Sequence, residues 1–164
     1  MDLKKLTTGD WVVGVSGILL LIFSFFPWFD YQLEGVEGSI GDTNGWDFFL
    51  FGIIPVFIGL ASVALIAVAR FTTSELPKVG SLSWGQVHLI LGAVATVLVL
   101  LLVLIGDDEN VFGLEIDGDR QIGLFLSLLA AVGLAVGGLL KHRDPADASP
   151  PSAPPAPPAA PPPA

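Results

Sequence analysis

The chain contains no cysteine, so neither disulfides nor thiolate metal sites are open to it. Charge is scarce too: 14% of the 164 residues are Asp, Glu, Lys or Arg, against 52% hydrophobic residues and a mean hydropathy of +0.75. That apolar share is far above what a soluble domain carries. The usual chemical signatures are missing as well. No serine is matched with a base, no histidine pair stands at i and i+4, and no glycine-rich phosphate loop follows a strand. Enzyme, metal and cofactor readings therefore start without support, and the chain is read as non-catalytic with no cofactor.

What is present is apolar sequence in blocks. A bilayer core about 30 Å thick needs about 20 apolar residues in a helix rising about 1.5 Å each, because no backbone polar group can face lipid without a partner. Four segments qualify, at residues 11–28, 48–69, 87–105 and 121–140, and the only ionisable side chain within them is His88. Lys4 and Lys5 before the first run resemble a signal peptide, but Phe25, Phe26, Pro27, Trp28 and Phe29 stand where small residues would be needed for cleavage. The run is read as an uncleaved anchor. The expected fold is an all-α membrane protein, a four-helix transmembrane bundle over residues 1–143 made of two helical hairpins.

The basic residues set the expected orientation. Lys4, Lys5, Arg70, Lys78, Lys141 and Arg143 fall on one side and only Arg120 on the other, which by the positive-inside rule makes both termini and the middle loop cytoplasmic in a multi-pass cell-membrane protein. The opposite face holds Asp30, Glu34, Glu37, Asp42 and Asp47 in the first loop and Asp107, Asp108, Glu109, Glu115, Asp117 and Asp119 in the third. The net charge of −9 thus belongs to that face. Such a surface repels nucleic acid and favours cations or basic partners.

Thr7 with Asp10, Asn44 with Asp47, and Ser83 with Gln86 have the spacing of capping boxes and mark three helix starts. Trp11, Trp28, Trp46 and Trp84 lie at segment ends, where an indole suits the headgroup region. The two halves share a layout, Gly52 and Arg70 matching Gly123 and Lys141 at the same separation, which fits either a duplication or the common features of any two hairpins. In the third loop Phe112, Leu114 and Ile116 alternate with Gly113, Glu115 and Asp117 before a turn-like Asp117-Gly118, and the first loop has a weaker version. A small extracytoplasmic β-cap and an irregular glycine-rich loop both fit, the loop being the default.

Helices in lipid associate through small residues that allow close backbone approach. Helix 4 has the clearest stripe, Gly133-x-x-x-Gly137 with Ala130, beside a row of Gly123, Ser127, Ala131 and Ala135. Packing within the bundle is preferred to homodimerisation. His88, one turn into helix 3, is a candidate pH-sensitive group, though a lone histidine at a helix end is more often simply packed. The acidic cluster Asp107, Asp108, Glu109, Glu115, Asp117 and Asp119 offers hard oxygen ligands, but its spacing fits no EF-hand, so a solvated charged loop is the expectation.

From Pro150 to Ala164 nine of fifteen residues are proline. Residues 144–164 are expected to form a disordered cytoplasmic tail, extended where proline-rich, with a spacer as the default reading and docking of Pro151-x-x-Pro154 and Pro155-x-x-Pro158 in an aromatic groove as the alternative. The run from Gly123 to Gly138, with Phe26-Pro27-Trp28 and Gly45-Trp46, resembles the small four-helix integral membrane proteins of unassigned function found in actinobacteria. That resemblance implies topology and a cell-membrane location and transfers no catalytic residue. The expected function is a binding, scaffolding or accessory subunit in the lipid bilayer, partnered by another membrane protein or its own copies. The alternatives are a cation or small-solute channel or carrier built by oligomers, and an outer-face hydrolase or transferase using Asp30, Asp47, Asp107 and Asp108.

Overall fold

The structure is a computed structural model that describes residues 6–33, 38–72, 79–107, 109–111 and 114–144. Beyond Asp144 the proline-rich tail lies outside the described residues, as do Asp108 and the middle of the first loop. The element order is α1 (Thr8–Phe23), β1 (Pro27–Leu33), β2 (Ser39–Asn44), a π-helical turn (Phe49–Ile53) leading into α2 (Ile54–Phe71), α3 (Trp84–Ile105), β3 (Glu109–Val111), β4 (Leu114–Arg120) and α4 (Ile122–Arg143). Each half of the chain therefore reads helix, β-hairpin, helix.

Local chemistry explains the helix limits. At α1 the Thr7 hydroxyl accepts from the Asp10 amide at 3.2 Å while the Asp10 carboxylate accepts from the Thr7 amide at 3.0 Å. Ser83 and Gln86 start α3 in the same way, at 3.2 and 2.9 Å. The expected start at Asn44 is different: Asp47 accepts from the Asn44 amide at 2.8 Å in a turn, and helical structure begins only at Phe49. There the Phe48 carbonyl accepts from the amides of both Gly52 and Ile53, and Pro55 follows at the junction of the π turn and α2.

The first helix is shorter than the expected 11–28. It ends at Phe23, because the Ser24 hydroxyl turns back to the Leu21 carbonyl at 2.6 Å and Pro27 cannot continue the ladder. Pro27 instead opens β1. The hairpins join in one antiparallel sheet of order β2-β1-β4-β3, so the structure has the small sheet rather than the irregular loop taken as default. Pairing slips between Pro27 and Phe29, a bulge that turns both Trp28 and Phe29 inward. Trp28 is wholly buried, not an interface anchor: its indole donates to the Phe23 carbonyl at 3.1 Å and stacks on Phe48. Its own carbonyl accepts from the Gln121 amide at 2.8 Å, fastening the sheet to the start of α4.

The helices form a ring in which α4 packs on α1 and α3, and α2 on α1 and α3. Small residues set the spacing. A Cβ on Gly17 would lie 2.8 Å from the Gly59 carbonyl, and one on Gly137 would lie 2.7 Å from the Val13 amide nitrogen. On the other side of α4, Gly92 meets the backbone at Ala135, and Gly138 meets Leu89. Both rows of helix 4 are thus used inside the chain. The stretches Phe49–Phe71, Trp84–Ile105 and Ile122–Arg143 are long and apolar enough to cross a membrane, while α1 has 16 residues. Large side chains including Ile18, Ile22, Phe57, Ile90, Val97, Leu104, Phe125, Leu129 and Val136 stay exposed around the helices.

Candidate functional site

Polar chemistry sits at the two ends of the bundle. At the sheet end, strands β1, β2 and β4 put acids side by side. Asp30 on the central strand faces Asp42 across one ladder and Asp119 across the other, and Gln32 faces Asp117. Because side chains alternate along a strand, these share the face opposite Phe29, and Asp42, Asp117 and Asp119 are exposed. Directly opposed residues stand about 4.5–5.5 Å apart, where like charges repel. Two donors soften the row: Ser39 donates to Asp30, and the Gln32 amide donates to Asp119 at 3.2 Å.

The remaining loop acids go elsewhere. Asp107 accepts from the Tyr31 hydroxyl, on the inward side of the sheet, and Asp47 holds the turn after β2. Asp30, Asp47 and Asp107 therefore serve three different local contacts. Glu109 lies on β3 and Glu115 on β4, paired through the neighbouring Asn110 and Ile116. Among the described residues no group of three or more acids and histidines is arranged to hold a metal ion. The single base among the described residues at this end, Arg120, donates from Nε to the Val103 carbonyl at 2.7 Å and so caps the last turn of α3 beside Gly106, whose φ is +79°.

At the opposite end the structure gathers a cluster that the sequence reading missed. Asp10 is in α1 and fully buried. Its Oδ1 accepts from Lys141 Nζ on α4, and its Oδ2 accepts from Arg70 Nε on α2 at 2.7 Å. Lys141 is buried too, because Gly9 lets α1 lie on it: a Cβ at Gly9 would be 2.6 Å from Lys141 Cγ. The helices thus carry more ionisable groups than His88 alone. The capping spacing of Thr7 and Asp10 was the one available signal, and it accounts for only part of what Asp10 does.

His88 completes that end on α3. It is buried, with Nδ1 at 2.7 Å from the Trp84 carbonyl and Nε2 at 3.4 Å from the Ser62 carbonyl on α2. The packing candidates divide by neighbour. Gly123 lies under Phe26 and Pro27, Gly133 against Ser16 and Gly137 against Val13, while Ala130 and Ser127 are buried in the interior. Among the described residues the Ser127 hydroxyl and the Trp46 indole nitrogen are buried without a hydrogen-bond partner.

Comparison with known proteins adds no relative: no family model, no curated protein and no solved structure matches this chain. The site must be read from its own geometry.

Proposed function

We propose that the chain is an integral membrane protein that crosses the bilayer four times and acts without catalysis, as a binding, scaffolding or accessory subunit. The observation that carries this reading is the order of surfaces along the bundle: an acidic sheet face, a girdle of exposed apolar side chains, then helix ends bearing Arg70, Lys141 and Arg143. Large apolar side chains exposed on every helix are costly in water and matched by lipid tails. Although α1 spans only about 24 Å, Phe25 and Phe26 extend its apolar surface past the helix end, and their amides remain bonded to the Ile22 and Phe23 carbonyls. The basic end is cytoplasmic and the sheet external under the positive-inside rule.

A binding role is favoured over a passage through one chain because glycine and alanine bring the helix backbones together and fill the interior. The surface offered to a partner is the carboxylate row of Asp42, Asp30 and Asp119, which suits a basic protein segment. The actinobacterial resemblance fits the same reading. The test is crosslinking and mild-detergent purification of the tagged protein and of an Asp30→Asn, Asp42→Asn, Asp119→Asn variant. A partner whose recovery falls with the variant supports the reading. Cation flux in liposomes that is lost in the same variant would favour the oligomeric channel instead.

A further inference from the structure

Strand β2 lies at an edge of the sheet. Among the described residues it pairs only with β1, so the other side of its backbone is open along Ser39–Asn44, about 20 Å of extended chain. Residues Ser39 to Asp42 are exposed. On an edge strand every second residue turns its amide and carbonyl away from the sheet, ready to pair with another strand. Local bonds hold one amide of each alternating set, Gly41 by the Ser39 hydroxyl at 3.2 Å and Asn44 by the Asp47 carboxylate at 2.8 Å, so either set still offers most of its groups.

The two faces beside that edge differ. On one, Asp42 leads into the carboxylate row with Asp30 and Asp119. On the other, Ile40, Gly41, Tyr31 and Ile116 line a pocket of about 330 Å³ that reaches the edge strand itself. The pocket is open there because pairing slips between Tyr31 and Gln32, a bulge that leaves Ile40 without an opposite residue. A strand laid along β2 sends alternate side chains to these two faces, basic ones to the aspartates and apolar ones to the pocket. A second copy fits badly, since β2 against its own image would bring Asp42 and the row behind it towards the same carboxylates.

We propose that β2 docks an extended segment of a partner protein, in which lysine or arginine alternates with aliphatic residues, by adding it to the sheet as a further strand. The proposal rests on the binding reading above and adds the backbone as the feature that recognises the partner. Its test is fluorescence anisotropy of a labelled Lys-Val-Lys-Val-Lys-Val peptide added to the detergent-solubilised full chain. Methylating the peptide's backbone amides keeps every side chain and charge but removes the donors, and lowers affinity at least about ten-fold. A Glu-Val-Glu-Val-Glu-Val peptide does not bind. Asp42→Lys, at an exposed position, lowers affinity about ten-fold by turning an attraction into a repulsion. Ile40→Ala lowers it about four-fold, the worth of one buried methylene, and Leu129→Ala on α4 leaves it unchanged.

A methylated peptide that binds as well as its parent overturns the proposal and leaves the aspartates as a plain electrostatic surface, with the binding reading intact. A parent peptide that does not bind also overturns it, and the binding reading falls with it only if partner recovery is indifferent to Asp30→Asn, Asp42→Asn and Asp119→Asn as well. Ile40→Cys chains that join one another by a disulfide and shut the peptide out assign the edge to a second copy, which overturns the proposal too.

Discussion

Asp10 and Lys141, 131 positions apart in sequence, meet as a hydrogen-bonded ion pair in which neither side chain reaches water. The pair ties the start of α1 to the end of α4, and Arg70 adds the end of α2 through the second carboxylate oxygen. Two desolvated charges are worth little against an apolar pair of the same shape, but removing one of them strands the other. Asp10→Asn should therefore destabilise the chain by about 3–5 kcal/mol. Asp10→Leu combined with Lys141→Met should recover only the part of that loss due to the stranded lysine, because Arg70 and the Thr7 amide still lose their acceptor, as read by thermal unfolding in one detergent. A double variant no better than the single would show that the charges themselves are required.

Glycines that look equivalent in sequence should respond in opposite directions. Gly92→Ala places a methyl into the backbone at Ala135, and the overpacked α3 and α4 interface should lose about 1–3 kcal/mol. Gly14→Ala meets open space and should gain up to about 1 kcal/mol from helix propensity. The check is the pair of unfolding midpoints measured side by side.

The aspartate row should cost stability that neutralisation returns. Asp30 opposes a carboxylate on each side, so Asp30→Asn should stabilise the protein by about 0.2–1 kcal/mol for each repulsion removed. Salt screens exposed charges, so the gain should shrink between about 0.01 and 1 M ionic strength. Unfolding of both proteins across that range measures it.

Trp28 should behave as a core residue. Trp28→Ala removes a wholly buried indole between the sheet and the helices and should cost about 3–5 kcal/mol. Trp11→Ala, at an exposed position on α1, should cost far less. Comparing the two unfolding midpoints separates the core role from the interfacial one expected of every tryptophan at a segment end.

Much of this architecture was legible because it is written in short-range patterns. Apolar length marked the helices, and the spacing of Thr7 and Asp10 and of Ser83 and Gln86 marked two starts, while the alternation around Leu114 and Ile116 signalled a strand at β4 but left an irregular loop as the default. Three features escaped for physical reasons. The end of α1 depends on Ser24, which bonds back to Leu21, and on a bulge that turns Trp28 inward, and the second is settled by contact with Phe48 and Gln121 far along the chain. The acidic row arises only when β1 lies between β2 and β4. The Asp10 cluster joins residues from three helices, and each member looked like an ordinary charge beside an apolar run.

The central claim is that the apolar girdle lies in a bilayer with the sheet outside and the basic helix ends inside. Because the chain has no cysteine, single thiols report on it without background. In intact cells a membrane-impermeant maleimide should label Asp42→Cys on the sheet and leave Arg143→Cys at the end of α4 unlabelled until the membrane is opened. Labelling of both sites in intact cells, or of Arg143→Cys alone, would contradict the account.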